Sequence, residues 1–481
     1  MRESQSGSSG RVNAAAVLLP GFVGTTLPEW LERRLRDGLA GVCIFGGNIV
    51  SREQLRELTA SIRRANPAAL IAIDEEGGDV TRLYHDSGSP YPGNAVLGRI
   101  DDVAYTESVA RSIGWQLRQS GCNLDFAPDV DINSNANNPV IGVRSFGSDP
   151  ALVARHSAAW VRGLERTGTA TSAKHFPGHG DTSADSHLAL PVVDLPLERL
   201  RERELLPFRA SIAAGARSIM TSHILMPQLD PDAPATFSRR ILQQLLREEL
   251  GFAGVIVSDA LDMKGASGEV GIPGAAVLAL AAGCDLLCIG TDNTEEQLDA
   301  IEWAITDAVS NGRLADGRLA DAMARVAALA AGLAVEAERI PIPAIDEPVF
   351  PLERTIAAFD VRPGVTVRAE RVLLSIQTEA NIAVGVSTWG ADAAGAETLP
   401  VREGALPELP AGLQPVVLGR DNHRYPWVRT YIDQLRQQHP DVVVVDLGWP
   451  ADDRAYADVA TFGASRHVGQ ALLAWLNAVQ S

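Results

Sequence analysis

The chain has 481 residues, 46% of them apolar and 21% charged, and a formal net charge of −18. It is too long for one ordinary core, and its composition is that of a soluble globular protein. The acidic balance leaves no basic patch to hold phosphates, which excludes nucleic acid as a partner. No stretch approaches the about 18 uncharged apolar residues of a membrane span, which excludes a membrane-embedded chain.

The polar opening "MRESQSGSSG" lacks the apolar run of a signal peptide, so a flexible N-terminus over 1–12 and a cytoplasmic location are expected. From residue 14 onward, short apolar runs alternate with helical patterns. Eight runs read as strands: 14–20, 41–45, 69–74, 122–128, 170–176, 217–223, 254–259 and 284–290. Segments such as "SREQLRELTASIRRA" and "SRRILQQLLREEL" between them repeat with a period near 3.6. Eight such units predict an α/β fold, a (β/α)8 TIM barrel over 13–337 that closes with an Ala-rich helix over 318–335. Asp74, Asp131, Lys174–His175, His223 and Asp259 each end or follow a different run, and barrel enzymes build their sites on that face. Cys43, Cys122, Cys284 and Cys288 sit in apolar runs without CxxC spacing and read as buried reduced thiols. The Pro-rich "ERIPIPAIDEPVFP" (338–351) marks a boundary, with a linker expected over 338–362. Strand-like runs at 371–376, 414–419 and 441–448, with two helical patterns, predict a smaller α/β sandwich domain over 363–481.

One segment concentrates the chemistry. "KHFPGHGDTSADSH" (174–187) holds three of the nine His and one of only two Lys, against 40 Arg. His175 and His179 are spaced like metal ligands on one helix face, but Pro177 and Gly178 between them break any helix. A loop metal site stays open as an alternative. Asp185 and His187 are two apart, so in an extended segment they share a side, where a carboxylate can fix the imidazole's tautomer and stabilise its protonated form. His179, between two Gly, reads as the fastener of a tight turn. The other Lys lies in "VSDALDMKG" (257–265), where Asp259 follows a strand directly and suits a nucleophile, and Asp262 suits a helix cap.

Taken together, "KHFPGHGDTSADSHLALP", "IDEEGGDVTRL" (73–83), "GVRSFG" (142–147), "TSHILMPQLD" (221–230) and "AGCDLLCIG" (282–290) resemble glycoside hydrolase family 3, in particular its β-N-acetylhexosaminidase branch. The resemblance covers about residues 14–335. It implies a retaining, exo-acting β-N-acetylglucosaminidase without a metal or other cofactor. Asp259 would be the nucleophile, His187 the acid/base and Asp185 its partner, while Asp74, Arg82, Arg144, Lys174 and His175 would hold the sugar. The implied substrate is a small carbohydrate, an N-acetylglucosaminide from a muropeptide or chitin fragment in cell-wall recycling. Inorganic phosphate as acceptor, making the chain a phosphorylase, is the alternative; a metal-dependent hydrolase and an inactive sugar-binding homologue are the remaining ones. Two positions depart from the branch: Asp79, where Arg is common, and Asp129, where an apolar residue is usual. Both are expected to add negative charge near the barrel mouth.

Overall fold

The computed structural model describes residues 13–182, 190–268, 270–378, 384–385 and 388–479; the expected flexible stretch 1–12 lies outside them. Eight parallel strands form the first sheet: β1 (Leu18–Pro20), β2 (Gly41–Ile44), β3 (Leu70–Ile73), β4 (Leu124–Asp125), β5 (Ala170–Phe176), β6 (Ser218–Thr221), β7 (Val255–Ser258) and β8 (Leu286–Gly290). Each pairs with its neighbour in sequence, β1 pairs with β8, and β1 packs beside β2, so the sheet curls into a nearly closed barrel. Each of the eight runs read from the sequence holds one of these strands, although the fourth, expected over 122–128, is a strand only over Leu124–Asp125. The first is shorter than expected, because Ala14–Val17 wind into a 3-10 turn that the Asn13 side chain caps.

Strands buried on both faces need apolar side chains at nearly every position, and these strands have them. Inward residues such as Leu19, Ala72, Leu124, Leu286 and Met220 fill the barrel. Val326, Leu329 and Leu333 of the helix Asp316–Arg339 join that interior cluster and plug the N-terminal end. The outer helices start where the sequence provides a cap: Ser51 Oγ accepts the Gln54 amide at the head of the helix Arg52–Ala65, whose apolar stripe Leu55, Leu58 and Ile62 packs on the sheet. With that end plugged by the helix, the barrel opens at the carboxyl ends of the strands. Among the described residues no helix is long and apolar enough to cross a membrane.

The second sheet has six strands in the order β11 (Leu399–Val401), β10 (Arg371–Ile376), β12 (Gln414–Gly419), β13 (Val443–Asp446), β14 (Val459–Ala460) and β9 (Asp360–Val361). Only β9 runs antiparallel. The stretch 338–362, expected as a plain connection, carries the helix Leu352–Ala357 and β9, so part of the second layer forms within it. The two sheets share packing. Val96 of the barrel joins the core of Ala464, Val468 and Leu472, and Phe350 contacts the rings of Tyr91, Tyr105 and His467.

This junction corrects the expectation for Asp79. Its carboxylate does not face the mouth as free charge. It is buried beneath the second layer, accepts the Ala464 amide at 2.7 Å and lies 3.7 Å from the Arg420 guanidinium, which stacks on Trp389. Burial pushes the carboxyl up despite the pull of Arg420. Asp79→Ala strands a buried amide and should cost about 1–3 kcal/mol, whereas Asp79→Asn keeps an oxygen acceptor and should cost less. Thermal unfolding of the two variants beside wild type measures the difference.

Candidate active site

The site grows from the strand ends. After β3 the chain reads Asp74-Glu75-Glu76-Gly77-Gly78. Asp74 and Glu76, two apart, line one cavity, while Glu75 turns into the protein. There Glu75 Oε2 accepts the Thr81 hydroxyl and the amides of Arg82 and Leu83, which folds the following turn back on the strand. Gly77 takes φ +74, a left-handed conformation that favours Gly. At the end of β5 the register against β6 shifts between Ala173 and Phe176. Such an irregularity re-aims side chains, and the successive residues Lys174 and His175 both face the cavity.

A buried ion network joins these ends. Lys174 Nζ donates to Asp74 Oδ1 at 2.7 Å and lies 2.8 Å from Glu76 Oε1. Arg144, from the 3-10 turn Gly142–Arg144, grips Glu76 with two parallel bonds of 3.0 and 2.7 Å. Burial alone would raise the Glu76 carboxyl; Arg144 and Lys174 outweigh it and hold it well below the carboxylate range. Burial would likewise discharge Lys174, but Asp74 and Glu76 hold its ammonium charged. Arg82 Nη2 stands 3.8 Å from Asp74 Oδ2, and its Nη1 donates to the Val384 carbonyl of the second layer.

His175 is held from behind. Its Nδ1 pairs with Asp131 Oδ2 at 2.7 Å, and Asp131 also accepts the amides of His175 and His179. With Nδ1 donating to a carboxylate, Nε2 keeps a lone pair directed toward Arg144 Nη2, 3.5 Å away. His179 fastens the turn, as the flanking glycines suggest. Its Nδ1 bonds the Thr182 hydroxyl and its carbonyl accepts Asn138, while burial and then His175 lower its imidazole to about 4. A Cβ on Gly180 would fall 1.6 Å from the Ile132 carbonyl oxygen, so only Gly fits there.

Asp129 is also not a mouth charge. It is fully buried behind Arg144, 3.5 Å from Nη2, and burial, then Asp131, push its carboxyl well up. Asp129, Asp131 and His175 bring ligand-type atoms within 4.8 Å of one another. The His175–Asp131 pair already spends two of those atoms on each other, and the Arg144 cation sits against the third. That donor set fits a hydrogen-bonded support better than a metal.

Asp259 follows β7 and lines the same cavity. Its amide donates to Thr221 Oγ1 at 3.3 Å, and the Ala260 amide donates to its Oδ1 at 2.8 Å. Asp262 is expected to cap a helix, but the N-cap position of the helix Lys264–Ser267 is Met263; Asp262 Oδ2 accepts the Thr291 amide and ties the end of β7 to that of β8. The cavity holds about 340 Å³ and ends on Cys43, Phe126, Met220 and Cys288. Asp74, Arg82, Arg144, Lys174, His175 and Asp259 all line it; Asp185 and His187 lie outside the described residues. Sequence reasoning assigned no role to Glu76, whose signal is the paired Glu directly after a strand, nor to Asp131 as the partner of His175.

The description "Glycosyl hydrolase family 3 N terminal domain" matches residues 25–329. A beta-hexosaminidase of Stenotrophomonas maltophilia is 38% identical over 325 residues, 64% of this chain and 95% of that protein. Beta-hexosaminidase A of Pseudoalteromonas piscicida is 37% identical over 67% of this chain, which spans only 57% of that relative's length. A glycoside hydrolase family 3 beta-N-acetylglucosaminidase from Paenibacillus sp. superposes with a TM-score of 0.85 at 29% identity, covering 98% of this chain and 97% of that one.

Two outcomes follow from the network. Lys174→Arg keeps the charge but cannot seat a planar fork between Asp74 and Glu76, and should lower kcat/KM at least about tenfold, chiefly through KM. Steady-state kinetics on an aryl glycoside reads the change. Burial raises Glu75 to about 7, from an ordinary value near 4.5. The folded state then binds more protons than the unfolded one between these values, so this group's contribution is present below about pH 4.5 and is lost as pH rises through about 7. Glu75→Gln should flatten that fall, as denaturant unfolding across pH 4.5–7 would record.

Proposed function

The chain belongs to glycosyl hydrolase family 3, and from that premise we propose that it is a retaining, exo-acting β-N-acetylglucosaminidase. The observation that carries the reading is the convergence of Asp74, Lys174, His175 and Asp259 from the ends of three strands, and of Arg144 from the 3-10 turn Gly142–Arg144, on one cavity. A cavity closed by the barrel floor suits a terminal sugar rather than a chain passing through. Three cations and several carboxylates can bond a ring of hydroxyls from many sides, with the Lys174 ammonium donating in three directions.

In this reading the Asp259 carboxylate attacks the anomeric carbon from one face. The bond to the leaving oxygen breaks as His187 delivers its proton there, and a glycosyl ester forms on Asp259. Water then replaces the ester, giving its proton to His187 and freeing the Asp259 carboxylate. Asp185 fixes the His187 tautomer. An imidazole, with an unperturbed pKa of about 6.5, reaches the working range without the burial a carboxylic acid needs. Arg82, bound to both Asp74 and the second layer, closes the sugar side. The substrate is a small N-acetylglucosaminide of the muropeptide or chitin-fragment class.

Wild type should release aryl alcohol from an aryl β-N-acetylglucosaminide and free N-acetylglucosamine as the sugar product. Asp259→Ala should abolish release by at least about 10³-fold, and His187→Ala should slow it about 10²–10⁴-fold, less for an activated leaving group. Equal release by Asp259→Ala would sink the assignment. Added phosphate should leave the rate and product unchanged; a sugar 1-phosphate would identify phosphorolysis instead.

A further inference from the structure

We propose that His223 is a positioning residue that sets the Asp259 peptide through a ring of hydrogen bonds closed by Thr221 and Thr236, a proposal that rests on Asp259 being the nucleophile. The ring can be followed atom by atom. The Asp259 amide donates to Thr221 Oγ1 at 3.3 Å, and Thr221 Oγ1 lies 2.8 Å from Thr236 Oγ1. Thr236 Oγ1 lies 2.9 Å from His223 Nδ1, and His223 Nε2 lies 3.0 Å from the Ala260 carbonyl oxygen. Thr221, His223 and Thr236 are fully buried.

The directions of these bonds follow from the end groups. An amide can only donate and a carbonyl can only accept. Thr221 therefore accepts from Asp259 and has its proton free for Thr236. Nε2, facing a carbonyl, carries the imidazole proton, so Nδ1 of the neutral ring accepts from the Thr236 hydroxyl, for which the Ser222 carbonyl at 2.9 Å is a second acceptor. The chain runs head to tail from the Asp259 amide back to the Ala260 carbonyl, and bonds so aligned reinforce one another. With the Ala260 amide on Asp259 Oδ1, the backbone on both sides of the carboxylate is held by Thr221, which ends β6, and by His223 just after it, with Thr236 of the 3-10 turn Ala235–Phe237 joining the two. The groups assigned to the sugar come from β3, β5 and the turn at Arg144, so a fault in the ring misplaces the nucleophile and leaves sugar binding in place.

Side-chain shape allows a direct test. The Gln amide nitrogen can stand where Nε2 does, and the Asn amide reaches only the Nδ1 position. On an aryl β-N-acetylglucosaminide, His223→Gln should stay within about threefold of wild-type kcat, and His223→Asn should lose about 10–100-fold in kcat with KM within about threefold. Thr236→Ser should retain activity, and Thr236→Val should repeat the kcat loss, which gives a second reading if a His223 variant does not fold. Thermal midpoints confirm that the variants compared are folded. Wild-type kcat in both His223→Asn and Thr236→Val, or a loss carried by KM alone, would overturn the proposal. No turnover by wild type would instead sink the activity reading.

Discussion

The site depends on one buried interaction, the carboxylate of Glu76 shared between Lys174 and Arg144. The ends of β3 and β5 and the 3-10 turn at Arg144 meet there, and none could keep a charge in that place alone. Removing a carboxylate, an ammonium or a guanidinium from water costs several kcal/mol each, and only mutual attraction with well-placed hydrogen bonds offsets it. Asp74 adds a second anion against Lys174, and Asp129, whose carboxyl burial and then Asp131 push well up, lies 3.5 Å behind Arg144. The result is a dry, polar wall whose cations stay charged and whose directions are fixed before any sugar arrives.

That network also explains why Lys is used at 174 in a chain with one other Lys and 40 Arg. The two carboxylate oxygens, 2.7 and 2.8 Å from Nζ, belong to different residues and approach a single point. An ammonium is a point donor with three rotatable hydrogens; a guanidinium is a flat fork matched to one carboxylate, as Arg144 shows on Glu76. The two cations of the network are thus used for different geometries, and the composition of the chain follows the geometry.

The barrel was legible because its strands are buried on both faces and its helices are amphipathic, so period and polarity marked each element. The strands β10 and β12 were legible for the same reason. β9, β11 and β14 were not: each has two or three residues and, unlike the equally short β1 and β4, lies in no longer apolar run. At the site, the residues ending each run could be named, but sequence adjacency does not say which of Asp74, Glu75 and Glu76 faces the cavity. Nor does it show that Asp131 backs His175 or that Thr221 and Thr236 meet. Those are contacts across 44 and 15 positions, set by how neighbouring strand ends lie together.

Asp79 carries the same lesson to the second layer. A side chain on the turn after β3 would face water in a barrel that stood alone, and an Arg there would be well solvated. Here the turn is covered, and the group beneath must accept the Ala464 amide and meet a cation, Arg420. An Arg could do neither: it has no acceptor, and it would face Arg420 across a buried gap. A departure that looked like added charge at the mouth is the polarity the junction requires. The same turn carries Arg82, whose guanidinium reaches Asp74 on one side and the Val384 carbonyl on the other. The docking of the second layer and the placement of a sugar-side cation are therefore settled by one short loop, residues 77–83. A change that loosens the junction at Asp79 should be felt first at Arg82, before the Lys174–Glu76–Arg144 core is disturbed.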